Sequence, residues 1–300
     1  MEPSGVIIIN KPEGMTSHDV VNKMRRLFST RRVGHTGTLD PMATGVLVIL
    51  IGRAAKAAEY LSSDEKGYIA TLRLGTTYDT EDITGTPISS CDSIPDEDTV
   101  RSVINEFIGD IKQIPPMYSA LKVNGQKLCD LARKGVEIER EARPVAIFSI
   151  DTKKGELPTD YNLSVKCSAG TYIRTLCADI GSSLGCGGAM ATLCRTLAGG
   201  FSIENSHTLE ELEALTPDER LSLLIPTESL FYNLDKVNLP AFYEKLCRNG
   251  CEIYLSKLRL TLPLGTRVRL CSQSGEFFAL GEVREFDDGL AIKAIKLFDI

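Results

Sequence analysis

Residues 34–51 read Gly34-His35-Thr36-Gly37-Thr38-Leu39-Asp40-Pro41-Met42-Ala43-Thr44-Gly45-Val46-Leu47-Val48-Ile49-Leu50-Ile51. The run from Val46 to Ile51 is apolar without interruption, the pattern of a strand buried on both faces. The stretch before it holds Gly34, Gly37 and Gly45, one of the chain's 3 histidines and a single carboxylate. A polar, flexible loop is thus mounted on a rigid core strand, the way a fold presents chemistry. Asp40 itself reads two ways. Asp before Pro starts a short helix, with Asp as N-cap and Pro at the first helical position. Alternatively, Gly34 and Gly37 admit a ligand close to the backbone and His35 shares the site, leaving Asp40 as nucleophile or base at a sugar or pyrimidine carbon.

Working outward, Gly5–Asn10 is a β-branched strand ending in a turn at Asn-Lys-Pro. Thr16 and Asp19 fit a capping box, and Val20, Met24, Leu27 and Phe28 recur at helical spacing, predicting a helix over 17–29. Its other face carries Lys23 and Arg26, either solvated or on phosphate. Downstream, the pattern predicts a helix over Arg53–Ser62 with Ala54, Ala57, Ala58 and Leu61 inward, and a strand over Lys66–Gly75. A polar, turn-rich loop follows over Thr77–Gly85. Further elements are a helix over Asp96–Phe107, a proline-locked extended passage over Ile111–Ala120, a short helix over Leu128–Lys134, and strands at 144–151 and 161–168. Gly170–Gly181 reads as a turn opening a helix, Gly185-Cys186-Gly187-Gly188 breaks it, and Met190–Leu197 resumes regular structure. Residues 204–228 read as acidic and helical. From about residue 235 the texture changes to short alternating segments (Ile253–Leu262, Arg267–Cys271, Phe277–Val283, Leu290–Leu297), the pattern of a small β-barrel or sandwich.

Composition narrows the class. In 300 residues, 43% are hydrophobic and 25% charged, as in ordinary globular proteins, with core enough for one large domain and a small one. No apolar run approaches the ~20 residues that span a bilayer, and no signal peptide is expected before the first strand. The 9 cysteines form no CxxC pair, so a structural zinc site is not expected and reduced thiols in a cytoplasm are. The net charge of −6 is unevenly spread. Residues 1–56 carry Lys11, Lys23, Arg25, Arg26, Arg31, Arg32, Arg53 and Lys56 against Glu2, Glu13, Asp19 and Asp40, whereas residues 79–110 are acidic with Arg101 alone opposing. A polyanion would therefore meet the end that holds the Asp40 loop.

A carboxylate in a dry site needs a cation to stay ionised, and Arg174, always charged and bidentate, is the candidate beside Tyr172. Tyr68 and Tyr172 are either core aromatics or stacking platforms for an unpaired base. The sequence has no GxxxxGK[ST] loop, no HExxH and no GxSxG elbow, and no paired acids flank Asp40 locally.

Four co-linear stretches, Asn10–Ser17, Gly34–Gly45, Lys66–Tyr68 and Gly170–Thr175, resemble the TruB family of tRNA pseudouridine synthases, over about residues 4–230. The C-terminal part resembles the short PUA-like RNA-binding domain of bacterial members. The resemblance implies a mixed α/β (α+β) fold with a largely antiparallel central sheet flanked by helices, in a catalytic domain over 1–232, and a small β-barrel PUA-like domain over 233–300. It implies isomerisation of the T-loop uridine at conventional tRNA position 55, in the cytoplasm, by a monomer without cofactor, metal, guide RNA or protein partner. Asp40 matches the catalytic aspartate, Arg174 its arginine partner, and Tyr68 the tyrosine that stacks on the target base and takes its C5 proton. His35, Tyr172 and Leu193 match residues lining the flipped-nucleotide site, Lys56 a lysine near it, and Lys11 lies in the first RNA-facing motif. Departures from the family pattern are Tyr78 for a common Thr, Ala189 for a His or Tyr near the thumb-like segment, and Cys194-Arg195 for a frequent Arg pair. The competing expectations are a guide-dependent synthase, a tRNA-folding factor whose catalysis is dispensable, and a metal-dependent hydrolase.

Overall fold

β1 (Gly5–Lys11) and β3 (Thr44–Ile51) pair antiparallel over their full lengths, Gly5 opposite Ile51 and Lys11 opposite Gly45. Both strands are apolar throughout because each face has its own core. Ile7, Ile9, Leu47, Ile49 and Ile51 face the main core with α1 (Ser17–Leu27), while Val6, Ile8, Val46, Val48 and Leu50 pack against Leu230, Phe231 and Phe298. These are features of a computed structural model, which describes residues 3–61, 65–119, 121–123 and 125–298. Ser62 and Ala120, at the ends of two predicted segments, lie outside them.

The predicted capping box forms: Thr16 caps α1 and Asp19 returns the bond. Of the two cations on the helix's outer face, Lys23 pairs with Glu213 at 2.9 Å. β2 (Val33–His35) lies along β3 and delivers His35 to the end of the sheet. After β3, residues Gly52–Tyr60 form a 3-10 helix rather than the expected α-helix over 53–62. With about three residues per turn, Ala54 and Ala57 align inward, whereas Ala58 turns out to solvent.

β4 (Lys66–Leu74) is followed by a hairpin, β5 (Thr76–Tyr78) and β6 (Pro87–Ser90), then α2 (Glu97–Glu106), β7 (Gly109–Gln113), a small hairpin of β8 (Lys122–Val123) and β9 (Gln126–Lys127), and α3 (Leu128–Ala132). β10 (Arg143–Lys154), β11 (Asp160–Cys167), α4 (Ile173–Ser183), β12 (Gly188–Ala198) and β13 (Phe201–Ser202) complete the main sheet. Its order is β1-β3-β12-β4-β11-β10-β7, with β2 on β3 and β13 on β12. Every pairing is antiparallel except β3 with β12, where Thr44 faces Cys194 and Gly45 faces Arg195. That parallel junction brings the far end of the chain beside the Asp40 loop.

The acidic stretch 204–228 is not one helix. It breaks into α5 (Leu209–Ala214) and α6 (Pro217–Ser222), each opened by a Thr–Glu capping box, with 3-10 turns around them. Pro217 forces the break, because the residue before proline is held out of the helical region. The connecting backbone covers the edge of β1, with Val6 and Ile225 exchanging two 2.8 Å bonds.

The last segment forms a five-stranded half-barrel of order β14-β16-β17-β18-β15. Its elements are β14 (Asp235–Asn238), α7 (Ala241–Arg248), β15 (Ile253–Tyr254), α8 (Leu255–Leu258), β16 (Arg267–Cys271), β17 (Phe277–Phe286) and β18 (Gly289–Leu297). Here α7 has no counterpart among the predicted elements. The expected strand over 253–262 stops after two residues and becomes α8, which Arg259 ends in the left-handed region at φ +54°. The half-barrel is joined to the rest by Phe231, Phe277 and Phe298, whose ring centroids lie 5.4–5.9 Å apart.

Candidate active site

Asp40 starts no helix. Its carbonyl accepts from Ala43 N–H at 3.1 Å in a single turn with Pro41 at the second position, and Thr44 then enters β3. The carboxylate is therefore free of capping duty. The loop around it is held from three directions. Ser17, first residue of α1, accepts from Leu39 N–H at 2.8 Å and donates to its carbonyl at 3.1 Å. Gly14 N–H and Lys11 Nζ both donate to the Pro41 carbonyl, at 2.8 and 3.2 Å. Arg195 donates to the carbonyls of Val46 (2.7 Å) and Gly37 (3.2 Å). Backbone groups in an irregular loop must find partners when buried, and these side chains supply them.

Arg174, in the first turn of α4, points back at this loop. Its Nε lies 3.0 Å from Asp40 Oδ2 and its Nη2 3.4 Å from Oδ1. The same guanidinium donates to the carbonyls of Tyr118 (2.8 Å) and Thr80 (3.2 Å), and Asp82 approaches it at 3.9 Å. Asp82 is buried and accepts from Thr84 N–H at 3.0 Å and from the Thr80 hydroxyl at 2.9 Å. The start of α4 is fixed by Gln113 at the end of β7, whose side-chain amide accepts from Tyr172 N–H and donates to Tyr172 carbonyl, at 2.9 and 3.1 Å.

The Asp40–Arg174 pair separates two cavities. One, about 340 Å³, is lined by Tyr68, Tyr172, Leu193, Lys66 and Arg195. The other, about 750 Å³, is lined by His18, His35, Asp82, Tyr118 and the Cys129–Arg133 segment. Burial pushes the Asp40 carboxyl above its ordinary range, and Arg174 pulls it back. Burial likewise raises the Tyr68 phenol against the opposing charge of Arg195. His35 is lowered by burial, and its Nδ1 lies 3.3 Å from Gly37 N–H. Such a site can flank a flat aromatic substrate with a stacking ring on one side and a poised carboxylate on the other.

Two family models match the chain: "TruB family pseudouridylate synthase (N terminal domain)" over residues 25–173 and "tRNA pseudouridylate synthase B C-terminal domain" over 174–232. A protein from Clostridium kluyveri named tRNA pseudouridine synthase B is 43% identical over 294 residues, spanning 98% of this chain and 99% of its own length. The chain belongs to the TruB family. A second member with that name, from Alkaliphilus oremlandii, is 44% identical over 286 residues, 95% of this chain and 94% of its own. Among solved structures, one titled a Cbf5-Nop10-Gar1 complex superposes with a TM-score of 0.73 at 26% identity, covering 98% of this chain and 84% of that one. An archaeal box H/ACA sRNP Nop10-Cbf5 complex does so at 0.72 and 25% identity, covering 99% and 86%. The mixed, largely antiparallel architecture is thus that of this TruB-related fold.

Within this TruB family member, five of the residues that the sequence singles out meet at one cavity: Asp40, Arg174, Tyr68, Tyr172 and Leu193. His35 stands on the other side of Asp40. One expectation needs correction. Lys11 does not face an RNA surface: it is 0% exposed, and its Nζ donates to the carbonyls of Met15 (2.6 Å), Pro12 (2.8 Å) and Pro41. Burial lowers its pKa to about 8. Lys56 lines neither cavity but a separate groove with Arg31, Arg32 and Arg53, and its Nζ donates to the Leu297 carbonyl at 3.3 Å. A lysine on a 3-10 turn points wherever that turn aims it, and this one aims at the half-barrel. Ala189 is fully buried opposite Arg73. Sequence reasoning missed Ser17, Asp82 and Arg195 as parts of the site. The signal at Ser17 is masked by its place at the start of α1, and Asp82 is one of several acids in a polar loop. Among the described residues, no cluster of three or more His, Cys, Asp or Glu is arranged to hold a metal, all nine cysteines are free, and no helix is long and apolar enough to cross a membrane.

Proposed function

We propose that this pseudouridine synthase acts on the T-loop uridine of tRNA at conventional position 55, with Asp40 as the reacting carboxylate and Arg174 as its partner. Tyr68 stacks on the target base and removes the C5 proton, while Tyr172, Leu193 and His35 line the nucleotide's path. The observation that carries this reading is the two-contact Arg174–Asp40 pair at the junction of the two cavities, beside an aromatic wall. A target uridine must leave its stack to reach a carboxylate so placed. The C1′–N1 bond then breaks, the uracil turns while held against Tyr68, and a C1′–C5 bond forms. C5 loses its proton and N1 gains one. The product is an isomer, so the chemistry needs no oxidant, reductant or group donor.

The substrate is the T stem-loop, which relatives named tRNA pseudouridine synthase B along nearly the full chain support over a guide-directed role. Residues 1–232 form the catalytic domain and 233–300 a PUA-like RNA-binding domain, working as a cytoplasmic monomer without guide RNA, protein partner, cofactor or metal. The basic end of the catalytic domain supplies phosphate contacts, so affinity falls with salt.

The test uses a T-arm stem-loop tritiated at uridine C5, incubated with the pure protein in EDTA and without guide RNA. Stoichiometric tritium release from the single loop uridine is the expected result, and Asp40→Asn abolishes it while RNA affinity stays within a few-fold. No release by the unaltered protein overturns the proposal. Full binding and full cellular effect with Asp40→Asn would favour the folding-factor reading instead.

A further inference from the structure

We propose that Arg195 is the positioning residue that locks Tyr68 and the Asp40 loop into one rigid unit and compensates charge on the Tyr68 oxygen. The proposal rests on the roles of Asp40 and Tyr68 given above. Arg195 lies in β12, between the two strands that carry them. It faces Gly45 across the parallel junction with β3, and Tyr68 across the antiparallel ladder with β4. Backbone contact there is close: a Cβ at Gly45 would sit 2.2 Å from the Arg195 carbonyl oxygen.

The side chain then reaches beneath the loop. Its Nη2 donates to Gly37 carbonyl at 3.2 Å and its Nη1 approaches Thr38 carbonyl at 3.5 Å, both before Asp40; its Nε donates to Val46 carbonyl at 2.7 Å, after Asp40. One planar fork thus closes the loop across its base, a geometry that a point-charge lysine does not reproduce. Arg195 and Tyr68 are directly paired across the β12–β4 ladder and line the same cavity, so the guanidinium favours charge on the Tyr68 phenol.

Its charge is the second observation. Arg195 is buried, yet its hydrogen bonds go to backbone carbonyls, with no carboxylate partner among the described residues. Buried cations are ordinarily paired with an anion. Tyr68 is the ionisable group that faces this one favourably. The other cations in reach, Lys11 and His35, are disfavoured by it. The phenolate that Tyr68 must be in order to accept the C5 proton has a ready counter-charge in Arg195, and the uracil is held between a fixed ring and a fixed carboxylate.

Arg195→Gln and Arg195→Lys are measured in single turnover against tritiated T-arm RNA across pH, with Tm and RNA affinity as controls. Arg195→Gln is expected to slow release ~100-fold and to move the alkaline limb of the profile upward. Arg195→Lys, keeping the charge but not the fork, is expected to lose ~10-fold with the limb in place. Combining Arg195→Gln with Tyr68→Phe adds only the ~10-fold loop part of the loss to that of Tyr68→Phe, not the full ~100-fold. Placing 3-fluorotyrosine at position 68, a more acidic phenol, restores part of the Arg195→Gln loss. Should Arg195→Gln fold poorly, the test is carried by the Arg195→Lys profile and by 3-fluorotyrosine at position 68 of the otherwise unaltered protein, which is expected to move the limb downward. An unmoved limb, multiplicative losses in the double variant, or no restoration by the fluorinated ring overturns the proposal. Release by the unaltered protein that Asp40→Asn abolishes keeps the proposed function standing in each of those cases.

Discussion

Nε of Arg174 lies 3.0 Å from Oδ2 of Asp40, while Nη1 of the same guanidinium faces Oδ2 of Asp82 at 3.9 Å. One buried cation is shared by two carboxylates of different burial: the Asp40 side chain is 34% exposed and the Asp82 side chain 7%. The two are not interchangeable. Asp40 opens on the cavities, whereas Asp82 is tied to Thr80 and Thr84 and serves to hold the arginine.

Their removal is therefore expected to separate activity from stability. Asp40→Asn leaves Arg174 with Asp82 and two carbonyls, and solvent already screens the lost pair, so it costs about 1 kcal/mol of stability. Its turnover falls by ~10³-fold or more. Arg174→Met strands the buried Asp82 charge and costs about 3 kcal/mol, read by denaturant unfolding with single-turnover release alongside. Equal stability losses in the two variants would contradict this division.

The acid side of the pH profile follows from the Asp40 carboxyl. Its folded value is raised by burial, so the group stays protonated to a higher pH than an exposed aspartate. Activity that needs the carboxylate then falls on acidification at a pH above the ordinary aspartate range. Removing the opposing cation with Arg174→Met moves that acid limb further up. A limb at the value of a free aspartate in both proteins would refute the assignment.

Lys11 makes a stability prediction with the opposite pH sense. Its folded pKa of about 8 lies below the 10.5 of the exposed group, so the folded state binds fewer protons between those values. The cost of burying the ammonium is present below about pH 8 and is relieved as pH rises towards 10.5. Lys11→Met lacks this dependence, so the Tm gap between the two proteins changes in favour of the unaltered one on going alkaline. Lys11→Met also orphans the Met15 and Pro12 carbonyls, at about 1–3 kcal/mol each, and loosens the loop through Pro41.

Gly45 is the point at which β3 and β12 approach too closely for a side chain. It sits at φ +96°, and a Cβ there would meet Arg195 carbonyl oxygen at 2.2 Å. Gly45→Ala is expected to destabilise the fold by about 3 kcal/mol or more, by forcing β3 from β12 and straining the backbone together. Thermal unfolding checks it; a Tm within a degree of the unaltered protein would count against the tight junction.

The local elements near the site were legible in the residues, because capping, periodicity and β-branching act over a few positions. Thr16–Asp19 cap α1 as their spacing predicts, and Val46–Ile51 form the buried strand. The misreadings arose where a contact distant in sequence decides. Lys11 is the plain case: its ammonium is taken up by the Pro41 carbonyl 30 positions on, which no window around it contains.

The sequence by itself determined that a glycine-rich loop with one carboxylate rides on a core strand, and the match of its motifs pointed to Asp40, Tyr68 and Arg174. Only the tertiary structure decided what Asp40 does with that position. A turn at Pro41 replaces the helix that local chemistry permits, since Lys11, Ser17 and Arg195 satisfy the loop's backbone from outside it. With those groups already bonded, the carboxylate is left to Arg174, brought from 134 positions away by the packing of α4.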